Sequence, residues 1–506
     1  MKGEIADLSR RAPPADTTVD ILVIGSGCGG ATAAWDLARA GREVLVLEEG
    51  GDRTGLDLTQ RDSIEYDDLY MDRAGRATED LAITILQGRA LGGGGVINCS
   101  DVVPIHDPVL RVWQRRFGLT GFSPEALAPY TKRALEDLHA NEPREDQLNR
   151  NNLLLRDGAR HLGWRGEVMK HNRVGCSGLG TCMIGCPADA KMGPRFVAIP
   201  GALKAGARFW LRARAVRIED ASAELKTVRV RRLDPTGHRE VDGFTVRARR
   251  VILAANAIAS AQLLIRSGIG NEHVGRHLSL QPQLPVTAIF DEEVRFFRGI
   301  PQAYAVTQFE DLDHAQHGFW GFRVEAISGT PGIVASLLPR LGHEGKELMR
   351  LYPRMASVLC LLPDEPKGEV RVERSGRLRV RYALDEEQKA RFRVAAKAAA
   401  RLFFAAGARE VMVPCVPLIA LRSPDDLPLI DAMSLEPCTA PLVSAHQQGA
   451  VRFSTSARDG GADPSGQVWG TRGIHVLDSS GFPTSASSHT MAPIIAVSHF
   501  LAAQIS

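Results

Sequence analysis

The 506-residue chain has no stretch with the ~18 uninterrupted apolar residues of a membrane-spanning helix; even Val251–Ile265 is interrupted by Asn256, Ser260 and Gln262. An excess of one charge is missing too. Lys+Arg 62 against Asp+Glu 59 leaves a net +3, which excludes a chain built around a basic nucleic-acid surface. Eight cysteines are too few for a disulfide scaffold. With 49 glycines and 28 prolines, the chain is neither collagenous nor of low complexity. Behind Arg10-Arg11 no apolar segment follows, so the N-terminus reads as lacking a secretory signal, and the expected compartment is the cytoplasm. What remains is a globular protein of enzyme size. At ~150 residues per domain it has material for two to four domains.

The first informative segment is Val19-Asp-Ile-Leu-Val-Ile24, a buried-strand pattern followed at once by Gly25-Ser-Gly27-Cys-Gly-Gly30. A helix is expected over Ala31–Ala40, and a second strand, Val44–Leu47, ends at Glu48. Strand, G-x-G-x-x-G, helix, strand and acid form a dinucleotide-binding unit. Gly25 allows the tight turn, Gly27 lets a pyrophosphate approach the backbone, and Gly30 lets helix and strand pack closely. Glu48 is placed to accept from ribose hydroxyls and argues against a 2′-phosphate. The fingerprint alone does not separate FAD from a nicotinamide, so a nicotinamide enzyme stays open at this point.

Gln87-Gly-Arg-Ala-Leu-Gly92-Gly-Gly-Gly95-Val-Ile-Asn98 holds four consecutive glycines between apolar flanks. A linker would be polar on both sides; a backbone passing close to a planar ligand fits better. The segment resembles G-R-x-L-G-G-S-S-x-x-N, the first signature of the glucose-methanol-choline (GMC) family of FAD-dependent oxidoreductases. Gly88, Arg89, Leu91, Gly92, Gly93 and Asn98 match, and Gly94 and Gly95 replace the serines, a change that reads as sterically mild. Arg250–Gly270 resembles the second signature, with Asn256 and Ala261 as departures, and Ala205–Val216 is similar to the strand whose valine, here Val216, meets adenine. The resemblance runs from about Asp20 to the C-terminus and is patchy near 100–170 and 285–370.

The resemblance implies an α/β fold: a Rossmann-like FAD-binding domain (17–105, 188–285 and 440–506) and a discontinuous α+β substrate-binding domain built on an antiparallel sheet (106–187 and 286–439). It implies FAD contacts from Gly25, Gly27, Gly30, Glu48, Arg89, Gly93, Gly94, Asn98, Val216, Asp478 and Thr490. Ile97 stands where some members carry a covalently linking histidine, so the FAD is expected to be non-covalent. Gly50–Arg76, rich in Asp and Arg, reads as a lid over the flavin region.

Ser444-Ala-His446-Gln-Gln-Gly449 and Asp478-Ser-Ser-Gly-Phe-Pro483-Thr-Ser-Ala-Ser-Ser-His489 resemble the family's two catalytic slots. Alcohol oxidation removes a weakly acidic hydroxyl proton together with a hydride, and a group titrating near neutrality suits the proton. The resemblance therefore implies His446 as base with His489 as its partner, the reverse order remaining open. His106, His171, His238 and His314 read as ordinary solvated or capping residues, and His499 as structural.

Asn172–Pro187 contains Cys176, Cys182 and Cys186 as C-x5-C-x3-C-P. This is a ferredoxin-like run with Leu179 at the second position. It is also similar to the run in FAD-dependent glucose dehydrogenases, which implies an iron–sulfur relay; the alternative is a packed loop around Ala190-Lys191. The aromatic group Phe296, Phe297, Phe319, Trp320 and Phe322 suggests a hydrophobic or aromatic alcohol as substrate. Expected partners are that alcohol and O2 or another electron acceptor, with no nucleic acid. A family-related lyase that keeps FAD without redox chemistry, and a sugar-dehydrogenase-like subunit, are the alternatives.

Overall fold

The computed structural model describes residues 3–14, 17–311 and 321–505; His314, Phe319 and Trp320 lie outside them. The fold is α/β, as read from the sequence. One sheet has a parallel core in the order Glu4–Asp7, Arg208–Leu211, Val44–Glu48, Thr17–Ile24 and Glu240–Leu253. Ile474–Val476 lies parallel to the end of Glu240–Leu253. Ile21, Leu22 and Val23 are fully buried, on an interior strand that helix Cys28–Arg39 covers on one side. Helix Cys28–Arg39 follows the first fingerprint, and helix Met491–Ile505 packs against it.

The arginines of Ala213–Glu219 and Lys226–Leu233 lie on an antiparallel extension of this sheet. Arg229 pairs with Glu219 and Arg232 with Asp242 at its surface, so the basic alternation is a solvated face.

The second sheet is antiparallel along the order Ile419–Leu421, Glu410–Val413, Gln283–Ile289, Met355–Leu361, Arg323–Ala326, Tyr304–Val306 and Gly166–Val168. Leu442–Ser444 joins it at Gln283 and pairs in parallel with Ile83–Ile85. Its long covering helix, Glu386–Ala405, opens with a capping box on Asp385 and Gln388. Gly368–Val372 and Leu378–Arg381 form a hairpin, with Val372 opposite Leu378. Among the described residues no helix is long and apolar enough to cross a membrane.

His499 is structural, as expected. It is buried between Asp36, 2.6 Å from Nδ1, and Asp137, 3.2 Å from Nε2, while Arg133 bridges both acids. Burial disfavours its charge, but the hydrogen bonds to Asp137 and Asp36 outweigh that and raise its pKa above the ordinary 6.5. The resulting stabilisation is complete below about pH 6.5 and fades as pH rises through the folded value. His499→Gln is therefore expected to lower Tm more at pH 6 than at pH 9; equal losses in thermal scans at the two pH values would refute the charged pairing.

Candidate active site

A cavity of about 530 Å³ runs between the two sheets. Its nucleotide end is made by the first fingerprint. Gly25 has φ +99°, and a Cβ there would lie 2.3 Å from the Ala254 carbonyl oxygen. A Cβ on Gly30 would strike the Gly25 carbonyl oxygen at 1.9 Å, so this glycine serves close packing of helix on strand. The helix opens at Gly27 with no side-chain cap, leaving its first N–H groups for an anion. Glu48 is buried in the cavity wall; it accepts from the Ser26 N–H and hydroxyl at 3.0 and 2.6 Å and from the Gly50 N–H at 2.7 Å. Burial raises its pKa against those hydrogen bonds.

The two glycine-rich loops touch. A Cβ on Gly93, itself at φ +56°, would lie 2.7 Å from Gly27 Cα. Gly94 has no protein atom within 4 Å of its would-be Cβ, so a side chain there has open space. Gly95 differs: its Cβ would meet Pro194 Cδ at 2.6 Å. Replacement of the second serine is thus coupled to Pro194 and is not sterically mild. Asn98, Asp478 and Thr490 line the same cavity, and Thr490 leads into the N-terminus of helix Met491–Ile505.

These features suit FAD: an uncapped helix N-terminus and a buried acid at one end, and a side-chain-free cradle at the other. Gly25, Gly27, Glu48, Arg89, Gly93, Gly94, Asn98, Asp478 and Thr490 all contribute to the wall. Three expectations need adjusting, the first being Gly30, which packs helix on strand and is not part of the wall. The wall runs through Ala213–Ala215 and Val216 is not part of it; the strand bulges there, between Ala215 and Arg217. The Arg89 guanidinium is spent on the carbonyls of Gly237, Asp67 and Asp68, which makes it a brace for the lid. The lid expected over 50–76 reaches the cavity with Tyr70, Met71, Asp72 and Arg76.

At the other end stand His446 and His489, ring centroids 5.0 Å apart and planes at 68°. His446 follows strand Leu442–Ser444; its Nδ1 lies 3.3 Å from the Gln283 amide nitrogen, and its Nε2 has no protein partner among the described residues. Burial, then the neighbouring His489, lowers its pKa to about 3. His489 is differently placed. Its Nε2 lies 3.3 Å from Glu325 and 3.5 Å from Asp101, and its Nδ1 3.2 Å from the Ser488 hydroxyl. Burial lowers its pKa to about 4, although Asp101 opposes the shift.

Asp101 in the cavity wall, and Glu325 and His171 behind it, are residues around His489 that the sequence reading missed. His171, expected to be solvated or capping, is buried and lies 3.1 Å from Asp101 and 2.7 Å from the Gln302 carbonyl.

The cysteine run does not gather into a ligand set. Among the described residues no group of three or more His, Cys, Asp or Glu side chains is placed to hold a metal ion. The cavity beside Cys176, Cys182 and Cys186 measures only about 10 Å³ and is also walled by Arg173 and Lys191, room for about one water. Lys191 instead donates to the carbonyls of Val96, Asn98 and Cys182, fastening this loop to the glycine-rich one. The iron–sulfur expectation gives way to a packed loop.

Residues 19–283 match the family model described as GMC oxidoreductase, and 364–498 match that of its C-terminal part. The chain belongs to the GMC oxidoreductases. It is thus an oxidoreductase and flavoprotein of a family that oxidises alcohols with FAD. This GMC oxidoreductase is 33% identical over 97% of its length to an uncharacterised GMC-type oxidoreductase of Mycobacterium tuberculosis, 76% of which is covered. It is 27% identical to a long-chain-alcohol oxidase of Arabidopsis thaliana, over 96% of this chain and 67% of that one. Its fold is similar to that of pyridoxine 4-oxidase from Mesorbium loti, with TM-score 0.72 at 16% identity, covering 96% and 99% of the two chains.

Proposed function

We propose that this GMC oxidoreductase converts an alcohol with an apolar tail to the carbonyl compound, with His446 as the base, and passes the electrons to O2 or another acceptor. The observation that carries the reading is the free Nε2 of His446 in the cavity wall, beside a second imidazole. Bound FAD supplies the two-electron acceptor for the carbinol hydride. The chain supplies the rest. The Gln283 amide nitrogen faces Nδ1 at 3.3 Å; a half-turn of that amide brings its oxygen there instead, which holds the ring proton on Nδ1 and leaves Nε2 a base. The depressed pKa keeps that base neutral at physiological pH, ready to take the hydroxyl proton as hydride departs. His489 supports the charge that then forms.

The tail follows from the wall beyond the histidines, where Phe296, Ile327, Ile333, Val334, Leu337 and Leu359 provide apolar surface. Phe297 and Phe322 do not join them; they stack on Tyr352 and Phe309 in the core. The kinship with long-chain-alcohol oxidases supports the same preference.

The test is anaerobic mixing of purified holoprotein with ethanol, 1-octanol, benzyl alcohol and glucose. The flavin is expected to bleach, fastest with octanol or benzyl alcohol. Bleaching by glucose alone would overturn the apolar assignment, and no bleaching by any alcohol would overturn alcohol oxidation.

A further inference from the structure

Two carboxylates from unrelated parts of the chain converge on one nitrogen. Asp101 follows the glycine-rich loop, three residues past Asn98, and Glu325 sits on the interior strand Arg323–Ala326. Both are buried, and they approach His489 Nε2 at 3.5 and 3.3 Å. Glu325 is held in place: Oε2 accepts from Gln302 Nε2 at 2.6 Å, and Oε1 pairs with Arg323 Nε at 2.8 Å.

A purely structural ion pair does not account for this arrangement. Arg323 already has Glu310 at 2.9 Å and Glu167 at 3.3 Å. Asp101 forms no ion pair with Arg or Lys among the described residues; its partners are the two histidines, His489 and His171. Beyond His171 lies Arg173, which contacts its Nδ1. A buried carboxylate is costly unless it is paired; the close partners of Asp101 are imidazoles, with Arg173 and Arg323 acting from farther off, so it is best satisfied when a proton reaches those rings.

We propose that Asp101 and Glu325 are positioning residues, which seat His489 through Nε2 and supply the counter-charge for the proton taken from the alcohol. The inference rests on the alcohol-oxidation reading of this cavity. The hydroxyl O–H bond breaks and its proton goes to His446 Nε2. The carbinol C–H bond breaks and hydride leaves with its electron pair for the flavin, and the C–O bond becomes a carbonyl. One positive charge thereby appears on the histidine pair, and the two carboxylates are the nearest groups of opposite sign. Burial raises both carboxyl pKa values, opposed by His489 and Arg173 at Asp101 and by Arg323 at Glu325.

The experiment is stopped-flow reduction of the holoenzyme by 1-octanol or benzyl alcohol at pH 7, comparing wild type with Glu325→Gln, Glu325→Asp and Asp101→Asn. Arg323 keeps Glu310 and Glu167 in Glu325→Gln, and Asp101→Asn is the second, nearly isosteric variant. The limiting reduction rate is expected to fall at least about tenfold in Glu325→Gln and Asp101→Asn, less than the ~10²–10⁴ of losing the base itself. FAD content and the alcohol concentration at half-maximal rate should stay unchanged, and Glu325→Asp should recover part of the rate.

A second readout needs no turnover: 15N-histidine NMR of the resting protein. One imidazole is expected to hold its proton on Nε2 in the wild type and to lose that preference in Glu325→Gln and Asp101→Asn. Rates within twofold of wild type in both variants would overturn the proposal. So would losses confined to FAD content or half-saturation, or an unchanged imidazole spectrum. If no alcohol bleaches the wild type, the reading of the reaction fails separately, and the NMR comparison still decides the seat.

Discussion

His446→Ala is expected to slow anaerobic flavin reduction by a good alcohol substrate by about 10²–10⁴-fold, the usual contribution of a positioned base. FAD content should be unchanged, because His446 belongs to the strand segment beside Gln283 and lies outside both glycine-rich loops. The two histidines are not equivalent in geometry. His446 offers a ring nitrogen without a protein partner, whereas both nitrogens of His489 already lie near side chains. His489→Ala should therefore cost less than His446→Ala. A larger loss in His489→Ala, measured by single-turnover reduction with the same alcohol, would reverse the roles.

The second large effect concerns Gly94 and Gly95, neighbours with opposite expectations. Gly94→Ser should retain flavin, since nothing of the protein stands within 4 Å of the added carbon and the related signature carries serine there. Gly95→Ser must displace Pro194, whose Cδ would lie 2.6 Å from the new Cβ. Overpacking of this kind costs about 1–3 kcal/mol, and here it acts on the loop that forms the flavin cradle. Gly95→Ser is expected to purify with little flavin and a lower Tm, as read from the flavin-to-protein absorbance ratio and a thermal scan. Equal flavin content in the two variants would mean that Pro194 yields easily.

Local rules carry the parts of this molecule that were legible in its sequence. Gly25, Gly30 and Gly93 announce positive φ or close approach, because no other residue tolerates them. The strand, helix and second strand around the first fingerprint follow from the same local pattern. His446 and His489 were found through their motif context. Asp101, His171 and Glu325 were not, and the reason is physical. Arg323-Val-Glu325 alternates charged and apolar residues like a solvated strand, and only the sheet order turns both charges inward. Burial of a charge is a tertiary property, paid for by partners distant in sequence. The cysteine run misled for the related reason that spacing along a chain does not fix where sulfur atoms point; Lys191 and Arg173 shape that loop.

His446 lies just beyond a strand of the antiparallel sheet, and His489 sits at the root of the helix that packs against Cys28–Arg39. The two rings therefore work as a calliper across the seam between the halves of the molecule. Any hydrostatic, thermal or crowding stress that widens the seam by even an ångström would open the calliper and silence the enzyme while every helix remained intact. Turnover should thus fail before circular dichroism registers a change.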